Sequence, residues 1–232
     1  MPAKGLHRAI TADPSLRVRA GNRRVVSFSA IFSLPESRLR FGALGVMRGC
    51  ELPSRMQTIV TPTLTLEPLQ ASHAEEMFEV LSDAAIYRYL DCEAPASADH
   101  LRTVYQRLEA RQSPDGQQVW LNWVIRPLNR ALVGYVQATV TADQSAYVAY
   151  VLGSSHWGHG YAHRALQAML EHVTFAYSAQ RFLATVEADN QRSIRLLERL
   201  GFEPTATSEL DGHQLSGTER MFTRVSHQAE AT

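Results

Sequence analysis

The chain has 232 residues, 45% hydrophobic and 20% charged, the balance of an ordinary soluble domain with room for an appendage. No apolar run approaches the ~20 residues that span a bilayer. Two cysteines, Cys50 and Cys92, make neither a disulfide framework nor a zinc spacing, so a reducing compartment such as the cytoplasm is expected. The formal net charge is zero but unevenly placed: residues 1–55 hold ten Lys/Arg against three Asp/Glu, the remainder thirteen against twenty.

The first segment carries Arg17, Arg19, Arg23, Arg24, Arg38 and Arg40, and its apolar piece VVSFSAIF starts no sustained period. Residues 1–55 therefore read as a basic, poorly ordered extension, with Met47 and Met56 as alternative starts. Its composition also allows an organelle transit peptide or a nucleic-acid arm. It lacks the dense basic cluster of the latter and the n-h-c order of a secretory signal, so neither nucleic acid nor membrane is an expected partner.

The domain is expected over residues 60–226, followed by a tail, 227–232. Residues 63–69 (TLTLEPL) alternate apolar and polar, a strand ended by Pro68. Ser72-His73-Ala74-Glu75 matches a capping box, and Ala74, Met77, Phe78 and Leu81 form a helical stripe. Residues 85–90 continue as a short helix. After a loop containing Asp91, Cys92 and Glu93, a second helix starts near Ser97 with Leu101, Val104, Tyr105 and Leu108 on one face. Ser113-Pro-Asp-Gly116 is a turn. Residues 119–126, 132–140 and 146–152 read as three strands joined by short loops, an antiparallel meander. The turn Gly158-His159-Gly160 leads into a long amphipathic helix bearing Ala162, Ala165, Leu166, Met169, Val173, Ala176 and Tyr177. A strand over 182–187 follows, then a helix opened by Asp189-Asn190 and closed by Arg199-Leu200-Gly201-Phe202, where Gly201 suits the left-handed C′ position. A hairpin near 205–225 ends the domain, and no internal repeat is present. Strand, turn, helix, strand, helix predicts a βαβα unit with a locally parallel sheet edge.

The glycine turn is where chemistry is expected. Gly158 and Gly160 let backbone approach a ligand and adopt positive φ. The amides from Trp157 to Ala162 then sit at a helix N-terminus, an anion site, although a bare G-x-G is equally a tight turn into a helix. His156, His159 and His163 crowd this turn. His159 and His163 are four apart and could share a metal, but no carboxylate stands at ligand spacing, so no metal is expected. They read as solvated, or as lying beside phosphates and adding charge at mildly acidic pH. Asn190 is a good N-cap residue, and Ser193 a serine one turn later. Trp120, Trp123 and Trp157 read as packing residues, and Arg192, Arg195 and Arg199 as a solvated helix face.

HWGHGYA, the helix and strand after it, and N-x-x-S-x-x-L-L-x-x-L-G-F together resemble the GCN5-related N-acetyltransferase (GNAT) superfamily over roughly residues 60–225. The opening strand, helix and I-Y-R-Y-L segment resemble its branch that acetylates ribosomal protein N-termini and small-molecule amines. The resemblance implies an α/β (α+β) fold: a mixed, mostly antiparallel sheet, helices on both faces and a βαβα cofactor-binding core. It also implies transfer of an acetyl group from acetyl-coenzyme A to a primary amine by direct attack, without a metal. Carried over residue by residue, Tyr150, Val151 and Leu152 pair with the pantetheine arm. The stretch His156, Trp157, Gly158, His159, Gly160, Tyr161 and Ala162 holds the pyrophosphate. Asn190, Ser193 and Leu197 face the cofactor from the second helix, with Asn190 and Ser193 near the reacting centre. The helices over 74–81 and 97–108 would cover one wall of the acceptor pocket.

Four positions depart from the family pattern. Glu67 stands where the branch commonly has Arg. Ser155 replaces the Gln or Arg three residues before the first glycine, with Arg164 a possible substitute. Leu197 replaces the tyrosine that protonates the leaving thiolate in many members, and Ser193 replaces alanine. Ser193 is then the nearest hydroxyl to the sulfur. A backbone amide near Val151 is the expected oxyanion donor, and the base candidates are Glu187, Glu93 and Asp91. Two other readings stay open: a coenzyme A-binding sensor or scaffold without catalysis, and an unrelated phosphate-binding α/β protein. The second would need an acidic residue about 20 positions past the glycines, and Glu171 and Glu187 fall either side of it. The acceptor, a protein N-terminus or a small-molecule amine, and the state, monomer or homodimer, are left open.

Overall fold

Residues 118–127, QVWLNWVIRP, explain the layering of the molecule. In an extended strand successive side chains face opposite ways. Val119, Leu121, Trp123 and Ile125 enter one buried cluster, and Trp120 and Val124 enter another. A strand apolar on both faces must be covered on both. The computed structural model describes residues 56–90, 92–206, 215 and 217–226. The expected extension, Cys50, Asp91, the tail and most of the hairpin loop lie outside them.

Helix α1 (Ala74–Leu81) and helix α2 (Ala98–Leu108) cover one face. They bury Met77, Leu81, Leu101, Val104, Tyr105 and Leu108 with Trp120, Val124, Tyr135 and Val151. Helix α3 (Tyr161–Tyr177) covers the other, packing Ala165, Leu166, Met169, Leu170 and Val173 with Leu121, Trp123, Ile125 and Val136. Helix α4 (Gln191–Arg199) adds Ile194, Leu196 and Leu197 to that second core. Each fully buried Leu or Val stabilises the fold by ~1.5–3 kcal/mol. The α3 stripe differs slightly from expectation: Leu170 is buried, while Ala162 and Ala176 are only partly covered.

Among the described residues the sheet has eight strands, in the order β1-β2-β3-β4-β5-β6-β8-β7. These are β1 (Ile59–Val60), β2 (Leu64–Pro68), β3 (Gln118–Pro127), β4 (Gly134–Thr141), β5 (Ser145–Leu152), β6 (Arg181–Glu187), β7 (Glu203–Pro204) and β8 (Glu219–Val225). From β1 to β5 neighbours run antiparallel, and for β3, β4 and β5 the short loops predict it. Strands β5 and β6 are parallel, joined by the α3 crossover, and β8 pairs antiparallel with both β6 and β7. The parallel pairing covers only Ser145↔Arg181, Ala146↔Phe182 and Tyr147↔Leu183. Beyond Tyr147 the two strands part.

Several local signals fall where the sequence puts them. Ser97 Oγ accepts from the His100 amide at 3.0 Å, and Asn190 Oδ1 from the Ser193 amide at 3.2 Å. At the end of α4, the Phe202 amide donates to the Leu197 carbonyl and the Gly201 amide to Glu198, with Gly201 at φ +78. That is the hydrogen-bond pair of a Schellman cap. The expected capping box at Ser72–Glu75 is corrected. Ala71–His73 form a 3-10 turn first, so the reciprocal contact involves Gln70, whose amide donates to His73 Nδ1 at 3.1 Å. Helix α1 then opens at His73 without a side-chain cap. Residues Ala84–Tyr89 are a 3-10 helix capped by Asp83.

Glu67, the residue out of pattern, has a structural partner. Arg126 Nε donates to Glu67 Oε1 at 2.6 Å, and its two terminal nitrogens take Glu76 at 2.9 and 3.0 Å. The hydrogen-bonded Arg126 guanidinium holds the Glu76 carboxyl below its ordinary range. Glu76 Oε1 also accepts from the Leu132 amide at 2.6 Å, so α1 is tied to β2, β3 and the start of β4 by one cluster.

The β4–β5 edge tolerates no side chain at Gly134. It sits opposite Leu152, and a Cβ there would lie 2.0 Å from the Val151 carbonyl oxygen. Gly134→Ala should force the two strands apart and cost ~1–3 kcal/mol of unfolding free energy, an overpacking penalty. A urea titration measures it, and an unchanged midpoint would contradict the close approach.

Candidate active site

The parting of β5 from β6 creates the site. Strand β5 remains laddered to β4 from Ala146 to Leu152, and β6 to β8 along its whole length. The facing edges, residues 148–152 and 184–187, pair with each other nowhere. Peptide groups on those edges need partners, because buried backbone donors and acceptors are almost always satisfied. The gap can therefore accept an extended ligand carrying amides of its own.

At the open end of β5 the chain turns through Gly153 and the 3-10 segment Ser154–His156, then through Gly158 and Gly160 at φ +80 and +74. Both glycines occupy the left-handed region, where only glycine is at ease. Gly160 is the N-cap of the 17-residue α3, and no side chain caps it. The first-turn amides and the positive end of the helix dipole are thus left for an anion.

Three contacts set the turn. Trp157 Nε1 donates to the Leu152 carbonyl at 2.9 Å, and the Arg192 guanidinium lies 4.2 Å over the Trp157 ring. Trp157 is therefore more than a packing residue, and Arg192 is not simply solvated; together they join the turn to α4. Asp83 makes the third contact. Its Oδ1 accepts from the Ala85 amide at 3.0 Å and its Oδ2 from the Ser154 amide at 2.6 Å. Ser154, and then Ala85, hold the Asp83 carboxyl below the usual range. Sequence reading missed Asp83. A helix-cap signal was available there, but the link to Ser154, 71 positions away, has no local signature.

Arg164 does lie over the turn, where substitution for a missing basic residue was expected. Its Nη2 donates to the His159 carbonyl at 2.9 Å, and its guanidinium sits 5.3 Å above the Tyr161 ring. His159 stacks on Tyr161 with ring centres 5.9 Å apart. Burial first, then the charges of His159 and Arg130, shift the His156 imidazole below its ordinary value. Among the described residues no three His, Cys, Asp or Glu side chains gather as a metal-ligand group.

The far wall belongs to β6 and α4. Glu187 closes β6, and its carbonyl accepts from the Asn190 amide at 2.9 Å. Asn190 performs its capping role, leaving its carboxamide nitrogen for other contacts. Ser193 sits half-buried in the first turn of α4, beside the Tyr150 hydroxyl of β5. The structure thus brings Tyr150, Asn190 and Ser193 to one end of the gap and the glycine turn to its mouth. Leu197 differs: it is 2% exposed and packed in the core, with little surface for a ligand. Glu93 is exposed on its loop, and Asp91 lies outside the described residues. The described residues also line surface cavities. One of about 230 Å³ touches Asp83, Gly153, Ser155 and His156, and one of about 410 Å³ lies over Arg192, Arg195 and Arg199.

Residues 63–203 match the family model of the acetyltransferase (GNAT) domain. The chain is 25% identical over 150 residues to an N-acetyltransferase called p20 from Bacillus licheniformis, covering 64% of this chain and 83% of that protein. Its fold matches RimL, a ribosomal L7/L12 alpha-N-protein acetyltransferase solved in complex with coenzyme A, at 24% identity and a TM-score of 0.60, covering 73% of this chain and 98% of that one. It also matches the microcin C7 self-immunity acetyltransferase MccE, solved with acetyl-CoA and AMP, at 18% identity and a TM-score of 0.57, covering 72% and 94%. The parted strands, the uncapped glycine turn and these matches together make the chain a member of the GNAT acetyltransferase family, an acetyl-CoA-dependent acyltransferase.

Proposed function

We propose that the protein is an N-acetyltransferase that passes the acetyl group of acetyl-coenzyme A directly to a primary amine, a protein N-terminus or a small-molecule amine. The observation that carries this reading is the gap between β5 and β6 opening onto an uncapped glycine turn. Peptide groups of Tyr150, Val151 and Leu152 would pair with the pantetheine arm. The amides from Trp157 to Ala162, with positive φ at Gly158 and Gly160, would take the pyrophosphate. RimL, which acts on a protein α-amine, supports the protein N-terminus as acceptor; MccE keeps the small-molecule alternative.

Direct attack needs a neutral amine, and Glu187 at the end of β6 is the base this reading assigns, acting directly or through one water. An amide of β5 near Val151 would stabilise the oxyanion. The departing sulfur would meet Ser193 Oγ, because Leu197 supplies no hydroxyl and Asn190 and Ser193 share one face of α4. The N-terminal end of α4 also favours negative charge there. No covalent enzyme intermediate is required.

Gly160→Val should weaken acetyl-coenzyme A binding at least about tenfold, ~1.4 kcal/mol, without unfolding the domain. A β-branched residue is strained at φ +74, and its Cβ would meet Arg164 Nη1 at 2.8 Å. Calorimetric titration of a folded variant decides it, and wild-type affinity would sink the turn's assignment.

Release of free thiol on mixing the protein, acetyl-coenzyme A and a panel of amines tests the reaction itself. Peptide N-termini or small amines should release thiol and gain an acetyl group, whereas a sensor would bind and release none. With a working acceptor, Ser193→Ala should slow turnover about tenfold to a hundredfold while cofactor affinity stays within a few-fold. Losing a hydrogen bond to a charged group costs roughly 1.5–3 kcal/mol. Full turnover in that variant would remove Ser193 from the mechanism.

A further inference from the structure

Among the described residues, the Tyr150 hydroxyl is buried and makes no hydrogen bond. Native proteins rarely leave such a group alone, and an exception at a functional site asks for a reason. Its setting is specific. Alternation along β5 sends Val151 into the α1/α2 core, while Tyr150 packs against the α3/α4 core. The ring therefore reaches across from β5 toward α4, and its hydroxyl comes beside Ser193 without closing a hydrogen bond of normal geometry. The Ser193 amide is already taken by Asn190 Oδ1, so capping makes no use of the seryl hydroxyl.

We infer that Tyr150 is a positioning residue: with acetyl-coenzyme A bound, its hydroxyl donates a hydrogen bond to Ser193 Oγ and so turns the seryl proton toward the sulfur of the departing coenzyme A. The inference rests on the reading of Ser193 given above and adds a second hydroxyl from the opposite wall. A hydrogen bond received by Ser193 Oγ polarises its O–H and strengthens the bond that group donates. The step balances without consuming either hydroxyl. The amine nitrogen bonds to the acyl carbon, the carbon–sulfur bond breaks, and its electron pair stays on sulfur. The proton lost by the amine leaves through the base, and the thiolate takes one from water. Tyr150 suits the donor role because burial pushes its hydroxyl up to about 12, even with Ser193 and Arg199 pulling it down. It remains protonated through the neutral range.

Tyr150→Phe keeps the β5 backbone and the ring and removes only the hydroxyl. The single-turnover rate of acetyl transfer at saturating acetyl-coenzyme A should fall about tenfold. KM for acetyl-coenzyme A should stay within about twofold, the backbone contacts being intact. The melting temperature of the ligand-free protein should hold or rise, since there the Tyr150 hydroxyl is buried without a hydrogen bond. In a Ser193→Ala background, Tyr150→Phe should have no further effect, because the two act in series. A wild-type rate in Tyr150→Phe alone would overturn the inference and leave Ser193 standing. So would the same tenfold loss in the Ser193→Ala background. A wild-type rate in Ser193→Ala would instead take down the reading of Ser193 and the relay with it. The variant that stays fast therefore tells the two failures apart.

Discussion

Everything at the site depends on two parallel strands that pair at three positions and then separate. A parallel pair cannot be closed by a tight hairpin; it needs a crossover, and here that crossover is α3. The helix must start beside the open end of β5, which puts its uncapped first turn at the mouth of the gap. One topological requirement thus supplies a slot between strand edges and an uncapped helix N-terminus at its end. Gly134 fixes the other side of β5, where the Val151 carbonyl approaches too closely for any side chain.

Holding a gap open between strands requires rigid walls. The two-faced apolar pattern of β3 gives a core on each side, and Arg126 binds Glu67 and Glu76 so that α1 cannot slide. Asp83 then carries that rigidity to the turn through the Ser154 amide, and Trp157 with Arg192 ties the turn to α4. The walls meet where Tyr150 and Ser193 face each other. Positioning by packed neighbours in this way is how a fold supplies orientation to a reaction.

Much of this was legible because it is local. The β-rich composition of residues 119–126, the stripe of α2 and the serine at position 97 each act over a few residues, and the strands and helices appear there. Gly201 and Phe202 announce the cap of α4 for the same reason. The glycine turn and the N-x-x-S segment were readable as chemistry only through resemblance, since G-x-G alone has several uses. What could not be read is long-range. Arg126 reaches Glu76 across 50 positions and Asp83 reaches Ser154 across 71, with no spacing rule to betray either. The burial that lowers His156 and the packing that hides Leu197 are likewise products of assembly. The Ser72 cap failed locally, because an extra 3-10 turn intervened.

The most direct measurement of the central claim is amide hydrogen exchange with and without acetyl-coenzyme A. If the arm lies between β5 and β6 and the pyrophosphate on the turn, added ligand should slow exchange in residues 148–152 and 158–163 together. Exchange in α2, on the far face, should not change. Binding that leaves both segments as exposed as before would contradict the account.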